Sequence, residues 1–367
     1  MKLSTLLQLV LAASSSYAVS LPALTGPSAV GSHDLQLTDA SRTDPFAPTP
    51  TPRSLMITLF YPARHAANYP PARYMSPAVG AWYEQQFNLT NGTAASIIPN
   101  AKQSPPLARN HKAKLILFST GLGSSRSLYT TLAEDLASHG YIVATIDNTY
   151  DAPVVEFPDG KVIYSTIPEN ITEEVVQKYY AIRVPDTLFV LKSLSGCTIP
   201  GLGSQVLNVD KVGMFGHSLG GATTGGVMAV EKSILGGVNL DGSFVGPVIT
   251  SGVKGPFVLF GATGHNRTED DTWTQFWAHS TGWKKELSLS GAVHPTFTDI
   301  PALVEILGLR DVLPKELLDQ LIGTIDGLRA TLLQRVYLSA FFDKVLGGRD
   351  DGLYNGPDSR YPEILFL

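Results

Sequence analysis

The chain has 367 residues, is 44% hydrophobic and 16% charged, and carries a formal net charge of −5. That balance excludes a disordered chain and a nucleic-acid-binding surface, which would need clustered Lys and Arg. A single cysteine, Cys197, excludes an intrachain disulfide and a cysteine-rich zinc site, and no apolar run after residue 20 approaches the ~20 residues that span a bilayer.

In chain order, Lys2, the mostly apolar Leu3–Ala13 and the small residues ending Ser16-Tyr17-Ala18 read as a signal peptide over residues 1–18. Asn-x-Thr sequons at Asn88, Asn91, Asn170 and Asn266 add the expectation of a glycosylated, secreted protein. Residues 19–53 show no clear period and close in a Pro/Thr tract, so an extended N-terminal arm is expected there. The α/β domain is expected over residues 54–367. It opens with a strand at Ser54–Tyr61, followed by a Pro-punctuated insertion over 62–112 with a helical stretch near Val79–Phe87.

From residue 113 buried strands alternate with helices. Strands are expected at Lys114–Phe118, Tyr141–Ile146, Val209–Phe215, Gly237–Leu240, Phe257–Phe260 and Glu286–Leu289. Helices are expected at Leu128–Ser138, Thr172–Leu194 and Leu219–Lys232, the second kinked or divided at Pro185. The alternation predicts a mostly parallel sheet covered on both faces. After Pro301 the chain reads as helix, with one long amphipathic run from Pro314 to about Leu346. A covering role is expected for these helices, with a lipid-facing rim as the alternative.

Gly216-His217-Ser218-Leu219-Gly220 is a G-x-S-x-G pentapeptide. In a chain this rich in Gly and Ser, chance alone supplies one in about a quarter of cases, so context must decide. Here a buried strand precedes it and a helix follows, the order of a nucleophile elbow. Ser218 becomes the candidate nucleophile, standing where a helix N-terminus favours negative charge.

A hydroxyl needs an imidazole to take its proton, and three histidines follow Ser218. His294 comes just after a strand and is the candidate base. His265 is the rival, and His279 reads as packing or surface. For the acid, Asp241 ends a strand; Glu269, Asp270 and Asp271 lie beyond the next one, and Asp299 follows the histidine. Asp241 is favoured, with the others open. The oxyanion donors are expected to be the backbone N–H groups of Leu219 and of Leu122, in the turn Ser119-Thr-Gly-Leu-Gly123. No metal ligand cluster and no cofactor motif is visible.

Together, Phe118-Ser-Thr-Gly-Leu-Gly123, Leu136-Ala-Ser-His-Gly-Tyr141, Gly216–Gly221, Asn239-Leu-Asp241-Gly and Val293-His294 resemble the secreted (type II) platelet-activating factor acetylhydrolase family of α/β-hydrolases, and the N-terminal segment and sequons look like those of its fungal members. The resemblance runs from about Arg53 to Phe297. It implies an α/β-hydrolase fold, the triad Ser218, Asp241 and His294, and the Leu122 amide as oxyanion donor. It departs at Thr120 and Asn148, where the family commonly carries His, which bears on substrate range. The expected function is a secreted serine esterase cleaving short or oxidised acyl esters, the sn-2 position of phospholipids included. Its partners would be a small ester or phospholipid and, transiently, a lipid surface. The alternatives are a broad carboxylesterase, lipase or polyester hydrolase, and a non-catalytic lipid-binding protein on the same scaffold.

Overall fold

A computed structural model describes residues 18–108, 114–195 and 208–367. Residues 1–17 of the expected signal peptide, and Cys197, lie outside the described residues. Ten strands form one sheet: β1 (Val30–Thr43), β2 (Pro52–Pro62), β3 (Lys102–Gln103), β4 (Lys114–Ser119), β5 (Ile142–Asp147), β6 (Asn208–His217), β7 (Ile234–Leu240), β8 (Phe257–Gly261), β9 (Lys284–Leu289) and β10 (Ile364–Phe366). The principal helices are α1 (Pro77–Gln86), α2 (Thr130–Ser138), α3 (Glu173–Leu194), α4 (Leu219–Val230), α5 (Asp271–His279), α6 (Ile300–Ile306), α7 (Lys315–Leu321) and α8 (Gly327–Phe342).

Across the sheet the order is β10-β9-β8-β7-β6-β4-β5-β2-β1-β3. The strands from β9 to β5 pair in parallel, while β2, β1 and β10 join antiparallel at the two sides. The unbroken apolar run of β4 follows from burial on both faces. Ile116 and Phe118 pack with Leu132 and Leu136 of α2 and Tyr337 and Phe341 of α8. Leu115 and Leu117 pack with Tyr180 and Val190 of α3 and Ala222 and Val227 of α4. Truncating one such side chain to Ala costs about 2–5 kcal/mol.

Three expectations need correction. The arm at 19–53 is not separate from the sheet, because β1 pairs with β2 from Val30↔Pro62 to Thr43↔Pro52. Its inward residues His33, Leu35, Leu37 and Asp39 are half polar, which blurs the two-residue period. Helix α3 is not divided at Pro185. Buried ion pairs flank the proline, Arg183–Asp151 at 2.7 Å and Asp186–Arg53 at 2.7 Å, and hold the helix through the missing N–H. The single run from Pro314 is two helices. Gly323 takes φ +71°, and Asp326 then caps α8 by accepting from the Arg329 N–H at 2.8 Å. Helix α8 is buried along most of its length.

From β4 the chain steps to β5, then returns to the other side of β4 as β6 and continues outward through β7, β8 and β9. That reversal opens a crevice at the carboxyl ends of β4 and β6, where open α/β sheets bind ligands.

Candidate active site

Ser218 lies between the end of β6 and the start of α4, with φ +56° and ψ −124°. Holding a serine there costs about 1–3 kcal/mol, which the surrounding turn must supply. It does so by close packing. A methyl group on Gly216 would strike the Gly220 carbonyl, and one on Gly242 would strike the Ser218 carbonyl. The Ser218 N–H donates to the Leu240 carbonyl (2.9 Å), tying the elbow to β7.

Asp241 also takes a positive φ, +57°, at the end of β7. Asn239 makes that turn by accepting from the Gly242 N–H (2.8 Å) and donating to the Gly242 carbonyl (2.7 Å), where the Trp273 indole also donates (2.7 Å). The buried Asp241 carboxylate accepts from His294 Nδ1 on Oδ2 (2.5 Å), and from His265 Nδ1 (2.8 Å) and the Ala262 N–H (2.6 Å) on Oδ1. Burial alone would raise its carboxyl, but the hydrogen bonds from His265 and His294 outweigh burial and hold it well below the carboxylate range. The proton of a neutral His294 is thereby fixed on Nδ1, leaving Nε2 as the basic nitrogen. The His294 ring is half exposed and lines one open pocket together with Ser218, Asp241, Leu122 and Leu219.

The backbone N–H groups of Leu122 and Leu219 make no hydrogen bond among the described residues. They flank the pocket from the β4 turn and the α4 N-terminus, so both are available to an oxyanion. The β4 turn is braced from α3. Arg183 donates to the carbonyls of Thr120 and Gly121, the second at 3.0 Å, and to both carboxylate oxygens of Asp151 (2.7 and 2.8 Å). Asp151 in turn accepts from the Gly123 N–H (3.1 Å).

A second brace runs through His217. Its Nε2 donates to the His294 carbonyl (3.1 Å), so Nδ1 must accept, and it does so from the Tyr129 hydroxyl (2.9 Å). The Tyr129 oxygen accepts from the Gly121 N–H (3.1 Å). Burial, reinforced by the charge of His294, pushes His217 down to about 3, and burial lifts Tyr129 to about 12. Both are therefore neutral links between the β4 turn and the His294 loop.

The rivals separate from this arrangement. His279 is exposed at the end of α5 and donates to the Gln275 carbonyl (2.8 Å). Asp299 is buried and accepts from the Thr131 N–H (3.2 Å) and the Tyr74 hydroxyl (3.0 Å). Glu269 and Asp271 stand on the pocket rim. His265 does not serve as a base, because Nδ1 bonds Asp241 and Nε2 bonds Asp270 (3.0 Å). Sequence reasoning missed that link, the Arg183 brace and the His217 bridge. His217, directly before Ser218, is the one whose position in the motif was a signal.

Neither Thr120 nor Asn148 lines the pocket. Both are buried, and Asn148 donates to Asp186 (2.8 Å). Asn88, Asn91 and Asn170 are exposed, whereas Asn266 is half buried beside the pocket and accepts from the Thr268 N–H (2.8 Å). Among the described residues, no group of three His, Cys, Asp or Glu side chains could hold a metal ion, and no helix is long and apolar enough to cross a membrane.

A family model described as "Platelet-activating factor acetylhydrolase, isoform II" matches residues 13–155 and 203–344. The chain is similar to a protein of Arthroderma benhamiae named "Probable 1-alkyl-2-acetylglycerophosphocholine esterase", 32% identical over 375 residues, covering 95% of this chain and 93% of that one. It is 28% identical over 281 residues to the platelet-activating factor acetylhydrolase of Cavia porcellus, a match spanning 67% of this chain and 61% of that protein. Among solved structures, a ferulic acid esterase from Streptomyces cinnamoneus superposes with a TM-score of 0.83 at 34% identity, covering 95% of this chain and 99% of that one.

Proposed function

The chain belongs to the platelet-activating factor acetylhydrolase isoform II family of α/β-hydrolase serine esterases, and from that premise we propose that it hydrolyses short or oxidised acyl esters, including those at the sn-2 position of glycerophospholipids, through a Ser218 acyl-enzyme. The observation that carries the mechanism is the 2.5 Å bond from His294 Nδ1 to Asp241, in the pocket that also holds Ser218 at its strained elbow. Ser218 Oγ attacks the carbonyl carbon while His294 Nε2 takes the hydroxyl proton. Asp241 holds the imidazole in the right tautomer and stabilises the imidazolium without being protonated. The Leu122 and Leu219 N–H groups receive the oxyanion, each worth about 3–4 kcal/mol in the transition state. His294 then protonates the leaving alcohol. In the second half, water gives its proton to His294 as it attacks the acyl carbon, and His294 returns that proton to Ser218 Oγ as the C–O bond to Ser218 breaks. No step requires a cofactor.

Replacing Ser218 by Ala should lower kcat about a millionfold, as loss of the nucleophile does in serine hydrolases. Turnover close to wild type in that variant would remove the mechanism. Labelling by a fluorophosphonate probe separates an enzyme from a lipid-binding protein on the same scaffold.

A second reading, esters of aromatic acids, is favoured by the likeness to the ferulic acid esterase over nearly the whole of both chains. A panel of 2-acetyl and 2-palmitoyl glycerophospholipids, p-nitrophenyl acetate and butyrate, and methyl ferulate decides between the two by kcat/KM. Residues 1–18 and exposed sequons such as Asn88, Asn91 and Asn170 support export and glycosylation. Detection of the processed, endoglycosidase-sensitive chain in culture medium tests both.

A further inference from the structure

We propose that His265 is a positioning residue for this ester hydrolysis: its imidazole ties Asp241 to Asp270 and fixes the carboxylate that orients His294. The inference rests on the catalytic reading above and extends its triad to a chain of five, Asp270–His265–Asp241–His294–Ser218. His265 Nδ1 lies 2.8 Å from Asp241 Oδ1, and Nε2 lies 3.0 Å from Asp270 Oδ2. A carboxylate has no proton to give, so both ring nitrogens must carry hydrogen and the ring is an imidazolium. Burial alone would disfavour that charge. The bonds to Asp241 and Asp270 outweigh burial and raise the ring to about 9.

Each member is anchored from behind. Asp270 caps α5 through Oδ1, accepting from the N–H groups of Thr272 (2.7 Å) and Trp273 (3.3 Å), which leaves Oδ2 for the imidazole. The His265 ring stacks on the buried Trp273 indole, centroids 4.3 Å apart and planes 30° apart. That indole donates to the Gly242 carbonyl, one residue after Asp241. The N-terminus of α5 thus sets the orientation of the triad acid just after β7.

The titratable groups around His265 are Asp241 just after β7, Asp270 at the α5 cap and His294 beyond Asp241, with Glu269 and Asp271 on the same rim. Arg267 is turned away to Glu286. The unit Asp270–His265–Asp241 therefore carries one net negative charge, as a lone aspartate would. Its cation tempers the pull of Asp241 on the His294 proton.

The test compares wild type, His265→Gln and Asp270→Asn as full chains. It uses pH profiles of kcat and KM with p-nitrophenyl acetate, alongside fluorophosphonate labelling of Ser218. His265→Gln should lower kcat about tenfold with KM little changed, as loss of an outer partner does at other sites. Its acid limb of kcat/KM should move to higher pH, because the uncompensated Asp241 holds the imidazolium proton more strongly. Asparagine keeps the α5 cap, so Asp270→Asn should fold even if His265→Gln does not. It should move the alkaline limb to lower pH, by about one pH unit, because the imidazole loses one of the two carboxylates that raise it. Profiles that superimpose on wild type in both variants, with any loss confined to stability, would overturn the assignment of His265 while labelled Ser218 leaves the catalytic reading standing. A wild-type chain that takes no label would sink both.

Discussion

The imidazole of His265 gives the folded state its own pH signature, apart from any effect on catalysis. Its titration is raised in the fold, from 6.5 to about 9, by two carboxylates that the unfolded chain does not bring near it. The stability it contributes is complete below about pH 6.5 and is lost as pH rises through about 9. A tenfold change in proton affinity is worth about 1.4 kcal/mol; with water screening the partly exposed ring, the whole effect is about 1–3 kcal/mol. Thermal unfolding of wild type should fall between pH 6.5 and 9.5, and that fall should flatten in His265→Gln; parallel curves would contradict the linkage. The elbow around Ser218 was legible in the sequence because it is local: five residues whose side-chain sizes are dictated by one turn. The partners of His265 were not, since Asp241 is 24 residues away and only the β7–β8 register brings them together. Asp270 was weighed only as a rival acid in a polar run, because a capping carboxylate and a solvated one look alike until the helix behind it is placed.

Among the elements, α3 carries the largest hidden role. The sequence displayed its length, its proline and the charges Arg183 and Asp186 near its middle, but not that both are buried and what they hold. Arg183 meets two backbone carbonyls of the β4 turn and one carboxylate at once, a fork geometry that a lysine cannot reproduce. Arg183→Lys should slacken the turn that presents the Leu122 N–H. We expect kcat to fall about ten- to a hundredfold, with the melting temperature also lowered, since a disrupted buried pair costs about 3–5 kcal/mol. Steady-state kinetics and thermal denaturation of that variant check both effects. The parallel strands were legible as short apolar runs, because burial on two faces erases alternation and leaves a plain signal. Strand β1 was not, because it lies near the sheet's edge and its inward face mixes Leu35 and Leu37 with His33 and Asp39. The break between α7 and α8 was hidden for a related reason, as the apolar spacing continues across the turn at Gly323.

For the whole molecule, β1 matters more than its position suggests. It covers the outer edge of β2 over eleven paired positions, and Arg53 at the start of β2 is locked between Asp44 (2.8 Å) and Asp186 (2.7 Å). A chain beginning at Pro52 would expose that edge and take Asp44 from the buried Arg53, leaving it Asp186 and the Thr149 carbonyl. It should accumulate as aggregate, whereas a chain beginning at Val19 should stay monodisperse, as size-exclusion chromatography would report. The bridge from Tyr129 through His217 to the His294 carbonyl has a different reach. It joins the turn that holds Leu122 and the loop that carries His294 into a single jaw, unable to shift one without the other. Val176, Val245 and Glu269 also line the pocket but take no part in that bridge. Substitutions at those three positions should therefore alter which ester fits while the linked turn and loop keep their spacing, a division of labour between the wall that selects and the frame that holds still.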